Sequence, residues 1–532
     1  MKPLNFAAMK EKLSNKLPLI LTIALFLLLL PLSLKINFMQ NDDWYYYQEV
    51  EKFMTGNFKL HEDIAPTFYL QGFIGALSSL LFSIESLPIL TLAISAINFY
   101  LFYKILFEYF LKGKVSSLLV ALILFLNPLH IYSMWGFMTE NYFLCLNLLG
   151  FYFFLGVIIK DKGSSGNSLL KANITFVAAF FIRQLSLVFF LGSFLYFLLL
   201  TKFKEALKQL VWFLVIFGFY LYVFPRTAEM SAKSLNFNYL LDFEYLFSTV
   251  WASLIYLTAF TLPLVFAVSL RFIRKNLRNP AKALLFVLTT AAIYLIASKL
   301  FKPELLAWGE FPYFENIWER TGFYPRSLHG TKYQFKGIFD LYYYWDLAAK
   351  LSLAGLLGFI AVRGREFFNK KSLFFGIFLV VYMGVISLAP VFFDRYLAAA
   401  IPPFVFLLLE NIYTQKSLPK TFQKALLAIF VLFLGVLAYT FSMDFILTES
   451  FAWKKSKELV SQGTPPEKVL STLAWNERYK KAENIEYLIS FDTPNVNPEL
   501  GGRFDLISAL DPDYPLNLHI DPFVGVYKLK ND

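Results

Sequence analysis

The sequence predicts an all-α polytopic membrane protein with a small α/β unit at its C-terminal end. Three observations lead there. The 532-residue chain is 57% hydrophobic and 19% aromatic, and only 16% of it is charged, where a soluble chain carries about 25%. Apolar stretches of membrane-spanning length recur from Leu17 to Ile446. The basic residues behind the net charge of +11 stand in short patches between those stretches. That is how orientation signals are distributed, and it argues against a nucleic-acid surface.

Lys2, Lys10, Lys12 and Lys16 precede the first apolar run, Leu17–Leu34. No small-residue cleavage site follows, so the run is expected to be an uncleaved signal anchor with a cytoplasmic N-terminus. Next comes NDDWYYYQEVEKFMTGN, residues 41–57, an acidic and aromatic stretch. Residues 42–55 are expected to form a helix with Asp42 and Asp43 at its start, where the helix dipole favours carboxylates. Trp44, Tyr45, Tyr46 and Tyr47 suit a membrane–water boundary. The segment Phe68–Ile84 is apolar but interrupted by Gln71, Gly72, Gly75 and two serines. If it crossed the membrane, every later basic patch would face outward. The positive-inside rule therefore lays it along the outer interface.

The remaining spans fall near 88–111, 115–134, 138–159, 170–182, 185–201, 209–226, 247–270, 281–300, 340–362, 372–390, 395–412 and 421–446. With the first, near 17–38, they make thirteen. The pair 170–182 and 185–201 is short and meets at Arg183-Gln184. Patches such as Lys112/Lys114, Lys160/Lys162, Lys202/Lys204/Lys208, Arg271/Arg274/Lys275/Arg278 and Lys416/Lys420/Lys424 then lie inside. The outer side receives the loop 39–87, the loop with Glu229 and Asp242, and the long aromatic loop Lys302–Tyr333 with Arg320, Arg326 and Lys332. An odd number of spans puts the C-terminus outside. Residues 1–446 form the membrane domain. Residues 447–532, with 13 acidic residues against 10 basic and turn signals at GTPPEKV, NPELGG and DPDYPL, form an extracytoplasmic domain. A helix is expected over Trp453–Gln462, and strands at EYLIS and VGVYKL.

Cys145 is the single cysteine, so no intrachain disulfide exists. His61, His130, His329 and His519 show no paired ligand spacing, and there is no HExxH, phosphate loop or dinucleotide motif. No metal ligands are assigned, and HED at 61–63 reads as a solvated loop. The NIT sequon at Asn173 lies in a span. Asp394-Arg395-Tyr396 falls on the outer side and is unrelated to the receptor motif of the same letters.

An acidic pair at the membrane surface suits chemistry on a lipid-carried substrate, whose phosphate stays at headgroup level. A carboxylate there can take a proton from an acceptor hydroxyl. The structural alternative is a set of solvated loop acids with aromatic anchors. DDWYYYQEVEKFMTGNF, followed by Pro66 and an apolar helix, resembles the first outer loop of the polyprenyl-phosphate-sugar-dependent glycosyltransferases of the GT-C class, which includes the protein O-mannosyltransferases and the lipid A aminoarabinose transferase. The matching positions are Asp42-Asp43, Tyr46, Gly56 and Pro66. Asp43 stands where the family usually has Glu, and Ala65 where it often has His. NPLHIYSMWGFMTENYF with Glu140, FFIRQLSLVFF with Arg183 and Gln184, and VFFDRYLAAAIPP with Arg395 and Tyr396 resemble later family segments.

The resemblance implies a GT-C fold with about thirteen membrane helices. It also implies inverting transfer of a monosaccharide from a polyprenyl-phosphate donor to an acceptor protein, glycan or lipid at the outer face of the plasma (inner) membrane. Asp42, or else Asp43, is the expected general base. Arg183 and Arg395 are expected to contact the donor phosphate, with Glu140, Gln184, Tyr396 and Tyr46 in the substrate site. No cofactor is fixed by the sequence, and a divalent cation is left open. The alternatives are a lipid-linked-sugar transporter, or a catalytically inactive subunit of this type.

Overall fold

The computed structural model describes residues 6–61, 64–111, 113–159, 165–224, 237–276, 279–307, 309–314, 316–323, 328–389, 392–413, 420–495 and 497–530. Lys112, Lys160, Lys162, Arg278 and Lys416 of the inner patches lie outside them, as do Glu62, Asp63, Glu229 and Arg326 of the outer loops.

The protein is a bundle of apolar helices capped at one end by loops and a small sheet. Helix α1 (Phe6–Ser33) exposes Ile23, Leu27 and Leu28, as a lipid-facing helix does. Two helices follow in the first loop, α2 (Asp43–Met54) and α3 (Tyr69–Leu81). At 13 residues, α3 is about 20 Å long, too short for a hydrocarbon core of about 30 Å. It exposes Phe73, Leu77 and Leu80 on one side and buries Gln71, Gly72 and Gly75 on the other.

The helices α4 (Leu87–Ile105), α5 (Lys114–Phe125), α6 (Pro128–Tyr132) and α7 (Thr139–Ile159) come next. The predicted span 115–134 breaks between α5 and α6. Pro128 pushes Asn127 into an extended conformation, and the Asn127 side chain accepts the Leu129 N–H at 3.0 Å. α8 (Ser165–Phe180) and α9 (Leu187–Leu199) are the short pair and are separated by an extended Arg183 (φ −145°, ψ 129°). They are followed by α10 (Phe203–Val223), α11 (Phe243–Phe260), α12 (Leu262–Asn276), α13 (Pro280–Leu300), α14 (Ile338–Phe367), α15 (Lys370–Ile386) and α16 (Ile401–Tyr413). The predicted span 247–270 divides at Thr261, ahead of Pro263, which has no N–H to continue the ladder.

The last membrane helix, α17 (Lys420–Ser461), runs 42 residues without interruption. It absorbs most of the separate helix expected over 453–462. Among the described residues eight helices are long and apolar enough to cross a membrane. The breaks at Asn127, Arg183 and Thr261 shorten several of the other apolar segments.

The C-terminal sheet has the order β3-β4-β6-β5, with β3 (Val469–Leu470), β4 (Tyr487–Ser490), β5 (Phe504–Leu510) and β6 (Val524–Leu529). β3 runs parallel to β4, and the other pairs are antiparallel with Leu488 opposite Tyr527. Both expected strands are present. Two short helices accompany the sheet, α18 (Leu473–Tyr479) and α19 (Pro498–Arg503). A hairpin of β1 (Trp318–Glu319) and β2 (Gly322–Phe323) forms within the long loop before α14.

Segments assigned by charge to one side of the membrane bond to one another. Gln40 Nε2 donates to Tyr132 O (2.9 Å) and the Leu70 N–H to Phe181 O (2.9 Å). Asp394 accepts the N–H groups of Ile317 and Trp318, and the Thr331 N–H donates to Asp492 (2.7 Å). At the opposite end Lys371 Nζ reaches Tyr109 O (3.3 Å) and Glu410 (3.1 Å). Sorting the loops by charge thus places together the segments that touch.

Candidate active site

The two neighbouring carboxylates of the first loop point in different directions, because successive residues on a helix diverge by about 100°. Asp43 turns inward and is 1% exposed. Its Oδ2 accepts the N–H of Phe137 at 2.8 Å and of Gln40 at 3.4 Å. Burial pushes its carboxyl well above the usual range, and the two N–H donors bring it only part of the way back. Gly136 permits this approach: a Cβ there would lie 2.0 Å from Asp43 Oδ2 and 2.5 Å from Gln40 Oε1. Asp43 therefore fastens the start of α2 to the turn ahead of α7.

Asp42 faces the other way, with a side chain 37% exposed. Its Oδ2 accepts from Arg395 Nη2 at 2.9 Å. Arg395 lies in the 3₁₀ turn Asp394–Ala400 ahead of α16. Its guanidinium sits 4.7 Å from the centre of the Phe393 ring, and its Nε lies 3.5 Å from Glu140 Oε1. Glu140 occupies the first turn of α7, where its charge also suits the helix dipole. Arg183 completes the group. Its Nη2 donates to Glu140 Oε1 at 2.5 Å and its Nε to Thr139 Oγ1 at 2.6 Å. The break between α8 and α9 thus presents a guanidinium to the start of α7.

The result is a neutral cluster of two carboxylates and two guanidinium groups, collected from α2, the start of α7, the α8–α9 break and the turn before α16. Glu140 and Arg395 are nearly enclosed, with side chains 2% and 8% exposed. Among the described residues, buried Arg395 Nη1 and Glu140 Oε2 have no hydrogen-bond partner. Such a donor and acceptor are costly unless something else satisfies them.

Tyr46 stacks on Phe68 with centroids 4.8 Å apart. Burial pushes its phenol upward, with Asp42 adding to the shift and Arg183 and Arg395 opposing it. The Arg183 guanidinium carbon lies 5.7 Å from the centre of the Tyr396 ring. Gln184 is half-buried in the turn after Arg183, and its side chain joins none of these bonds. Asp394 does not pair with its neighbour Arg395. It accepts the Trp318 and Ile317 N–H groups at 2.9 and 3.0 Å and so holds the long loop. Burial pushes its carboxyl up to about 6.

Sequence reasoning missed Thr139, Gly136 and Gln40, which support the cluster. It also missed Asp444 on α17, whose carboxylate pairs with Lys332 and accepts from Tyr333. An acid within the apolar run 421–446 was the available signal for Asp444. Among the described residues no three His, Cys, Asp or Glu side chains converge to hold a metal ion.

The fold and the site define a class: a polytopic helical membrane protein with an enclosed carboxylate–guanidinium cluster at one end of its bundle. No family model matches the chain, and no curated protein matches it. Among solved structures it is similar to ArnT from Cupriavidus metallidurans, crystallised bound to undecaprenyl phosphate. The two share 11% identity over 96% of this chain and 97% of that one, with a TM-score of 0.44.

Proposed function

We propose that the chain is a plasma-membrane glycosyltransferase of the GT-C type, with its cluster end and C-terminus outside. It takes a monosaccharide from a polyprenyl-phosphate donor and transfers it to an acceptor hydroxyl. The observation that carries this reading is Arg395. It bonds Asp42 at 2.9 Å, approaches Glu140 at 3.5 Å, and keeps Nη1 buried without a partner among the described residues. A guanidinium so placed suits a phosphate oxygen, for which it offers charge-assisted hydrogen bonds. Arg183 supplies a second positive group, held on the same Glu140 oxygen, Oε1, that Arg395 approaches.

In the proposed reaction Asp42, the more exposed carboxylate, removes the acceptor hydroxyl proton. The oxygen attacks the anomeric carbon as the bond from that carbon to the phosphate oxygen breaks. The polyprenyl phosphate leaves with the bonding electrons, held by Arg183 and Arg395, and the configuration inverts. Glu140 fixes the two arginines, and Tyr46 and Tyr396 line the sugar side. Asp43 acts as a positioning residue.

The test uses protein reconstituted in lipid with a panel of polyprenyl-phosphate monosaccharides, followed by mass spectrometry. Release of the sugar from one donor supports the reading. Movement of intact donor across the bilayer replaces it with the transporter alternative, and intact, unmoved donor throughout leaves the inactive-subunit alternative.

A further inference from the structure

The tail loop DPDYPLNLHIDPF, residues 511–523, turns back onto the membrane-spanning body. The Ile520 N–H donates to Gln334 O and the Lys336 N–H to Leu518 O, both at 2.8 Å, around an antiparallel bridge between Phe335 and His519. This paired segment ends directly before Gly337, the residue that precedes α14. The first turns of α14 expose Leu341, Tyr343 and Tyr344, a composition typical of the membrane–water boundary.

On the other side Tyr514 donates its hydroxyl to Thr440 O at 3.2 Å, and its ring lies 6.1 Å from that of Tyr439. Both residues belong to α17 and stand in the last turn of its apolar run before Asp444. Two membrane helices thus bracket the loop at the height where apolar sequence gives way to polar.

At that height the loop exposes Leu516 by 69% and Ile520 by 42%. Leu516 has φ +61°, a left-handed conformation unfavourable for a leucine. Asn517 holds the turn, donating to Pro512 O at 2.7 Å and accepting the His519 N–H at 2.9 Å. The loop thus keeps a strained backbone that leaves its leucine exposed.

We propose that residues 511–521 form a membrane-seating loop. Leu516 and Ile520 enter the headgroup boundary of the bilayer that the helices of this chain cross, and they hold the C-terminal sheet against it. Asp511, Asp513 and Asp521 are exposed around the two apolar side chains. The seating is therefore apolar and draws nothing from anionic headgroups, unlike the basic interfacial helices.

The test places a cysteine at Leu516 in a Cys145→Ala background and labels it with an environment-sensitive fluorophore. The protein is reconstituted at one copy per nanodisc in phosphatidylcholine. The label should emit to the blue of one on Lys480→Cys and lose most of its emission to headgroup-level nitroxide lipids. Neither effect should change with added salt. Ile520→Cys should behave alike, which guards against distortion by a single label. Equal access of aqueous iodide to the labels at 516 and 480 would overturn the proposal. So would protection seen in concentrated detergent samples but lost in single-copy nanodiscs, because the patch would then be an interface between two copies.

Discussion

Asp42 and Arg395 meet at 2.9 Å across 353 residues of chain. The first loop and the turn before the last two membrane helices therefore share one ion pair, and Glu140 joins it through the same guanidinium at 3.5 Å. Neither half of the protein contains the cluster by itself.

Asp42→Asn should reduce sugar transfer by about 10²–10⁴-fold, the usual contribution of a general base. The carboxylate is 37% exposed, the asparagine oxygen can still accept from Arg395, and that guanidinium keeps Glu140 at 3.5 Å, so the change in stability should stay within about 1 kcal/mol. Product release by mass spectrometry and thermal unfolding, run on one preparation, separate the two effects. Full activity in the variant would move the base elsewhere.

Arg183 and Glu140 should behave as a coupled buried pair. Glu140→Gln, which leaves buried Arg183 without its carboxylate, and Arg183→Gln, which leaves Glu140 only the 3.5 Å approach of Arg395, should each cost about 3–5 kcal/mol. The double variant should cost clearly less than the sum. Unfolding in detergent, followed by tryptophan fluorescence, gives the cycle, and strict additivity would show that the pair is not coupled.

Gly136→Ala introduces a methyl group 2.0 Å from Asp43 Oδ2. The turn must shift, at a cost of about 1–3 kcal/mol. The start of α2 moves with it, so transfer should fall although the alanine touches no substrate. A variant with wild-type kcat would dissociate this turn from the placement of Asp42.

The buried Asp43 carboxyl lies well above its ordinary range because burial disfavours its charged form. An acid raised in this way contributes stability in full below its unfolded value of about 3.9 and loses it as pH rises through the folded value. Asp43→Asn keeps an oxygen for the Phe137 N–H and has no charge to bury. Melting temperatures of variant and wild type should therefore diverge in favour of the variant over the range that begins at about pH 4, as pH rises from the unfolded value through the folded one. A constant difference across that range would count against a buried, titrating Asp43.

Much of this was legible in the chain. Lysine and arginine patches sorted the loops into two sets and, by the same rule, set Phe68–Ile84 apart from the spans, and the helix there has only 13 residues. Arg183 stood out as a charge in apolar surroundings, and it does break a helix pair to reach Glu140. The different duties of Asp42 and Asp43 were not legible, because they depend on which way the first turn of α2 faces. The support from Gly136 is equally hidden, since a glycine in MWGFM reads as an ordinary turn until Asp43 is seen against it. Asp444 was visible as an acid, but its partners Lys332 and Tyr333 are far away in sequence.

Helix α17 has 42 residues, which makes it about 63 Å long, twice the thickness of a hydrocarbon core. It works as both a ruler and a gear. One residue inserted between Thr440 and Trp453 would lift everything beyond it by about 1.5 Å and rotate it by about 100°. Arg478 would then swing away from Glu51, and the 511–523 loop would lose its place beside Thr440. Seven inserted residues would nearly restore the angle but raise the sheet by about 10 Å. The length of this stretch is thus fixed in phase and in height together, and chains that share the architecture should tolerate insertions in their loops while admitting none here.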